Sequence, residues 1–409
     1  MNPGKLWSLS MIAAALILGW AGSAKADDLP ATGQTVSYTA NKNDKILAPV
    51  AVPDDGAVQA GATLSYTDNG DGTVTDNNTG LMWEKKGDNG GLHDKDNAYP
   101  WTGNGAQETI WDWLDDVNGE GGTGFAGYND WRIPNFKELQ TLAHYGKVTP
   151  ATSEVFNSNC VAGATVLTGS CTAGATYTSS TTWARSTSMA WGLRIQDGFS
   201  SLSDKTSALR VRAVRGGGSG PGAFPATGQT TAYTADKNDG IPGAVAVPDD
   251  GTLRVGAPLS FTDNGNGTIT DNNTGLVWEK KSDNGDLHDK DNIYWWSGTG
   301  ASETIWDWLE DINAAAFGGH QDWRVPNVRE LLSIADFQNQ WAVPAAFNTN
   351  CAPGVTVLTG SCTLQVAYWT STTHAGAYPS AWLVGNYGDV YANSKSGTAR
   401  IRAVRGGTQ

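Results

Sequence analysis

Residues 65–86 read SYTDNGDGTVTDNNTGLMWEKK, and residues 260–281 read SFTDNGNGTITDNNTGLVWEKK. In each, two stretches rich in Thr and apolar residues flank an Asn-Gly-Asp/Asn-Gly tetrad, whose glycines supply the positive φ that a tight reversal requires. The segment is expected to be a β-hairpin, and it occurs twice. Downstream landmarks recur in the same order: HDKDN from 93 and 288, ETIWDWL from 108 and 303, DWR from 130 and 322, VRGG from 214 and 404. A period of about 190 residues is far longer than the roughly 20–50 residues of a solenoid or propeller unit, so each copy is expected to be a whole domain. The DNGDG tetrad also resembles a calcium loop, but its carboxylates do not follow the EF-hand order, and Asp71 becomes Asn266 in the second copy.

Further local signals follow each hairpin. Ile110, Trp113, Leu114 and Val117 fall at i, i+3, i+4 and i+7, as do Ile305, Trp308, Leu309 and Ile312. This predicts an amphipathic helix with Asp112, Asp115 and Asp116 off the apolar stripe. Asn135 with Glu138, and Asn327 with Glu330, predict the capping box of a second helix. Short β-segments are expected at Tyr177–Thr182, around Trp191 and at Arg210–Arg215, and again at Tyr368–Thr373, around Trp382 and at Arg400–Arg405. In RVRAVR and RIRAVR the alternation turns Val, Ile and Ala inward. The pairs Trp83/Trp278, Trp101/Trp296, Trp113/Trp308, Trp131/Trp323 and Trp191/Trp382 recur at matching positions and read as core.

The chain is therefore expected to be α+β, two tandem domains each with a hairpin, two helices and a small antiparallel sheet. Residues 216–223, GGGSGPGA, have the composition of a flexible linker. They separate copy 1 (27–215) from copy 2 (224–409), and each copy is long enough to fold alone.

Lys5, the apolar run Met11–Trp20 and Ala24-Lys25-Ala26 have the three regions of a secretory signal peptide. Residues 1–26 are expected to be removed, and the mature protein to be periplasmic or extracellular. No later stretch is apolar for long enough to span a membrane. The formal charge is −14, with 27 Lys and Arg against 41 Asp and Glu. Without a basic cluster, nucleic acid is excluded as a partner. The four cysteines allow three connectivities. One pair per copy at identical spacing, in an exported chain, is read as Cys160–Cys171 and Cys351–Cys362.

An enzyme would need reactive groups that recur in both copies. Of the 5 histidines, only His93 and His288 correspond, each in a polar loop, and no catalytic residue is assigned. In the same loops Asp94, Asp96 and Asn97, with Asp289, Asp291 and Asn292, are candidate ligands for Ca²⁺, the one cofactor the sequence suggests. The alternative is an Asx-rich turn whose side chains satisfy their own backbone. Ligand contact is expected where the copies diverge, between residues 184–209 and 375–400, because folding should hold both copies alike and binding residues collect on free loops. Trp369, Tyr378, Asn386, Tyr387, Tyr391 and Asn393 of copy 2 are the candidates, aromatic and amide types suited to contact surfaces.

The motifs FTDNGNGTITDNNTGLVW, DWRVPNVREL, YWTSTT, Trp382 and IRAVRGG, each with a counterpart in copy 1, resemble those of the Lcl C-terminal domain family. The resemblance implies a C-type-lectin-like fold, a role in surface binding or adhesion, and no established catalysis. The chain lacks a collagen-like stalk, so trimerisation through one does not carry over, and its acidity argues against binding sulfated polysaccharide by bulk charge. The expected function is an exported, non-catalytic binding or adhesion protein for a surface polysaccharide or protein. A structural envelope protein without a specific ligand is the alternative, and a secreted hydrolase the outsider.

Overall fold

The computed structural model describes residues 29–43, 49–218, 223–238, 243–299 and 301–407. The expected signal peptide and the middle of the expected linker lie outside them.

Each hairpin grows into a four-stranded antiparallel sheet. Tyr66–Asp68 pairs with Thr73–Asp76, which pairs with Met82–Glu84, and Val214–Arg215 closes the far edge. Copy 2 repeats this with Phe261–Asp263, Thr268–Asp271, Val277–Glu279 and Val404–Arg405. At the turn, Gly70 and Gly72 have φ of 78° and 95°. The Asp68 carboxylate accepts from the Gly70 N–H and Asp71 from the Thr73 N–H, so the acids of DNGDG serve their own reversal.

Among the described residues six α-helices occur in chain order: α1 Asp55–Val58, α2 Ile110–Gly119, α3 Phe136–Gln140, α4 Asp250–Leu253, α5 Ile305–Ala314 and α6 Val328–Ser333. α2 and α5 begin at capping boxes, Thr109 with Asp112 and Thr304 with Asp307. They bury the expected stripe together with Trp111 and Trp306. α3 and α6 carry the Asn–Glu boxes read from the sequence.

A second sheet in copy 1 orders its strands Ala98–Tyr99, Leu209–Arg210, Thr176–Thr182, Met189–Arg194, Phe199–Asp204. In copy 2, Tyr368–Thr373, Ser380–Val384 and Val390–Ser394 form one sheet, and Tyr294–Trp295 pairs with Thr398–Ala399 beside it. The alternation expected over Arg210–Arg215 fails at one residue. Arg212 is as buried as Val211 and Ala213, because the chain leaves the strand there and the guanidinium donates to the carbonyls of Glu84 (2.8 Å) and Cys171 (3.0 Å). Cys160–Cys171 and Cys351–Cys362 are bonded as expected. Among the described residues no helix is long and apolar enough to cross a membrane.

The two copies, expected to be separate domains, share contacts and core. The first segment of each copy crosses to the other. Gln34 pairs with Thr373 through both its amide N–H (2.7 Å to the carbonyl) and its amide oxygen (2.9 Å from the N–H), extending the edge of the copy 2 sheet. Gln229 does the same to Thr182 in copy 1, at 2.8 and 3.0 Å. Ala40 and Val52 join the core of copy 2 with Trp296, Ile305 and Trp306. Ala235 and Val247 join that of copy 1 with Trp101, Ile110 and Trp111. A third core belongs to both: Phe337 packs edge-on against Phe136 and Trp191, and Tyr145 against Trp382.

α3 and α6 lie along this seam. Lys137 is buried and donates to the carbonyls of Ala226 (2.9 Å) and Ser333 (2.6 Å) in copy 2. Its counterpart Arg329 donates to Thr141 (3.0 Å) and Ala143 (2.5 Å) in copy 1. Burial brings the Lys137 ammonium down to about 7, against the pull of Asp271, Asp336 and Asp250.

Candidate functional site

The HDKDN loops are satisfied from within. Asp94 accepts from the N–H groups of Gly90 (2.6 Å) and Asp96 (2.8 Å), and Asn97 donates to the carbonyls of Gly91 and Leu92. Asp88, Asp94 and Asp96 bring carboxylate oxygens within 4.8 Å of one another, the grouping a cation would use. Lys95 lies against it, its Nζ 2.8 Å from Asp88 and 2.7 Å from Asp96, and these hydrogen bonds raise the lysine above its ordinary range. Copy 2 repeats the loop with Asp283, Asp289, Lys290, Asp291 and Asn292. In both copies the loop's own lysine meets the charge of its acids.

Behind the loop lies a buried ionic hub that sequence reading missed. Glu84 is fully buried and accepts from Lys86 Nζ (2.8 Å), His93 Nδ1 (2.6 Å) and the Ala213 N–H (2.8 Å). Burial alone would raise the carboxyl. Lys86 and His93 outweigh it and hold Glu84 below the ordinary carboxylate range. Glu279 repeats the hub with Lys281, His288 and Ala403. In copy 1 only, His93 Nε2 also meets Glu120 at 3.0 Å. The hub ties the hairpin to the HDKDN loop and the closing strand. Its signal was the WEKK that ends both hairpins at a fixed distance from the histidine.

The six residues expected to bind ligand do not gather in one place. Trp369 is removed from the set, because it is fully buried and its Nε1 donates to the Tyr294 carbonyl at 2.9 Å. Tyr391 is half-buried against the core of copy 2, and Asn393 is exposed on the outer strand. Asn386 and Tyr387 lie at the tip of the hairpin of Ser380–Val384 and Val390–Ser394. There Tyr387 stacks on Trp341 (5.5 Å) and meets Trp183 edge-on, with the Arg185 guanidinium 4.6 Å from the Trp341 ring. Asn386 and Trp341 border a cavity of about 60 Å³ with Leu331, Phe347 and Val384.

The divergent stretch is therefore not a free loop throughout. Its hairpin meets the matching hairpin of copy 1 at the seam, where Ser200 Oγ donates to the Val390 carbonyl and accepts from its N–H. Two surfaces in contact must complement each other rather than match, so divergence marks a seam as readily as an exposed face.

Tyr378 stands at the other end of the hairpin and is 64% exposed. Its ring stacks on Tyr38, which arrives from the first segment of copy 1, with centroids 6.1 Å apart and planes 17° apart. The two rings line a groove of about 400 Å³ whose other walls include Pro379, Asn41, Ser297, Thr299, Ser394 and Lys395. Lys395 lies beneath, with Nζ 3.7 Å from the Trp296 centroid and 4.8 Å from that of Tyr38. Burial lowers this ammonium to about 7, opposed by Asp54. Among the described residues it has no ion-pair partner. Neither Tyr38 nor Lys395 was singled out from the sequence, because nothing local shows that residues so far apart meet.

The Lcl C-terminal domain family matches the chain twice, over residues 72–215 and 267–405. No curated protein matches it. Two matches that together span more than half of the sequence, each running from the hairpin turn to the closing strand, place the chain in the Lcl C-terminal domain family.

Proposed function

We propose that this chain is an exported, non-catalytic binding protein, and that it recognises a surface carbohydrate in the groove lined by Tyr38 and Tyr378. One observation carries the reading. An exposed tyrosine stacked on a second ring stands over walls of hydroxyl and amide groups. Aromatic faces take the apolar face of a sugar, while Ser, Thr and Asn side chains exchange hydrogen bonds with its hydroxyls. The α+β arrangement of each copy is read as C-type-lectin-like, and the two disulfides suit an exported protein. The hydrolase reading gains nothing from the Glu84–His93 pair, since Glu84 is sealed from solvent and engaged on every side.

The test is a glycan array probed with the full chain and with Tyr378→Ala. Because the side chain is largely exposed, the variant should keep its melting temperature and lose about tenfold or more in affinity for whatever the parent binds. Equal binding by the two proteins places the contact elsewhere. A blank array alongside capture of a protein from surface extracts favours a protein ligand, and a blank in both favours a structural envelope role.

A further inference from the structure

We propose that the first segment of each copy is a docking element whose partner is a second copy of the same repeat, so that this chain is a fused pair of like subunits that hold each other without the linker. The contacts occur twice, with the copies exchanging roles. The Asp55 carboxylate accepts from Thr372 (2.7 Å) of copy 2 as well as Thr32 of its own segment. The Asp250 carboxylate accepts from Thr181 (2.6 Å) of copy 1 as well as Thr227. Asn327 donates to the Ala60 carbonyl and Asn135 to that of Val255. The N–H of Gly298 donates to Asn41 and that of Gly103 to Asp236. Together with the Gln34 and Gln229 pairings, this is the self-complementary contact of a two-fold dimer, in which residue i meets j and j meets i.

The seam also holds apolar surface that neither copy could leave bare. Separated halves would strip Trp191 of Phe337 and Trp382 of Tyr145 and turn those rings to water. Lys137 and Arg329 donate to carbonyls across the seam, which offsets part of the cost of burying them there. A linker in such a pair raises the effective concentration of the halves and adds no contact. Cutting it should therefore leave the pair intact. The groove at Tyr378 is then composite, since Tyr38 comes from the first segment of copy 1.

The experiment uses the full chain with a protease site in place of residues 219–222. After cutting, light scattering and native mass spectrometry should find both fragments in one particle of the uncut mass. Two separate particles, or precipitation on cutting, would overturn the proposal. A second form, Gln34→Ala with Gln229→Ala, leaves the shared core in place and removes the side-chain pairing at both exchanged edges. After cutting it should dissociate at protein concentrations at least about tenfold higher than the parent does. An unchanged dissociation midpoint would show that the first segments do not hold the pair.

Discussion

Lys205 in copy 1 and Lys395 in copy 2 are seated alike. Lys205 Nζ lies 3.6 Å from the Trp101 ring and 4.7 Å from Tyr233; Lys395 lies 3.7 Å from Trp296 and 4.8 Å from Tyr38. What surrounds them differs. Tyr378, Asn41 and Ser394 surround Lys395, where Thr187, Asp236 and Asp204 surround Lys205. The lysine on its rings is what folding asks of both copies. The open tyrosine and the neutral walls are what one copy has and the other lacks. A duplicated chain thus supplies its own control, since whatever recurs in both surroundings is explained by packing and whatever does not is free for contact.

The hub offers the strongest way to break that rule. Glu84→Gln and Glu279→Gln each strand a buried lysine and histidine, and each should cost about 3–5 kcal/mol in denaturant unfolding. The loss should be smaller for Glu84→Gln, because His93 keeps Glu120 whereas His288 has no such partner among the described residues. A loss below about 1 kcal/mol in either copy would mean that the hub does not bind hairpin, loop and closing strand together.

The exchanged segments should titrate. Burial raises the carboxyls of Asp55 and Asp250 to about 7, with Glu330 and Asp54 adding to the first, Glu138 and Asp249 to the second, and the threonine hydroxyls opposing in both. A carboxyl whose pKa is higher folded than unfolded gives stability that is complete at low pH and is lost as pH rises through the folded value. Stability should therefore fall by a few kcal/mol between about pH 4 and pH 7. Thermal melts of Asp55→Asn with Asp250→Asn should flatten that window. The buried Lys137 acts the other way above pH 7, where losing its proton relieves the cost of burying charge. A parent melting temperature that climbs from pH 4 to 7, and still climbs in the double variant, would remove the aspartates from the account.

Smaller effects sharpen the groove and the loop. Thr187→Tyr places an aromatic ring at the copy 1 position that matches Tyr378 but leaves Asp204 and Asp236, so binding to the array should gain less than about threefold, under 1 kcal/mol. A full second site would show that the tyrosine alone decides. Millimolar Ca²⁺ should move the melting temperature of the parent by no more than about 1 °C, because Lys95 and Lys290 already meet the loop carboxylates. In Lys95→Met with Lys290→Met the same addition should stabilise measurably. If the parent responds as strongly as the variant, the lysines do not hold that place.

By itself, the sequence determined what is local: the hairpin and its glycine turn, the apolar stripes of α2 and α5, the capping boxes of α3 and α6, and the bonded cysteines. Each is written within a dozen or so residues, where spacing and backbone chemistry suffice. The duplication was legible too, because identity over a long register needs no geometry to be seen. Only the tertiary structure decided which copy each first segment completes. Two like copies present the same docking face, and Gln34 or Asp55 would make the same kinds of contact on either, so no pattern in the chain separates pairing within a copy from exchange between copies. The same holds for Tyr38 beneath Tyr378 and for Arg212 against Glu84. These meetings of distant residues are set by how the elements pack, and packing depends on the shape of the whole surface rather than on any stretch of the chain.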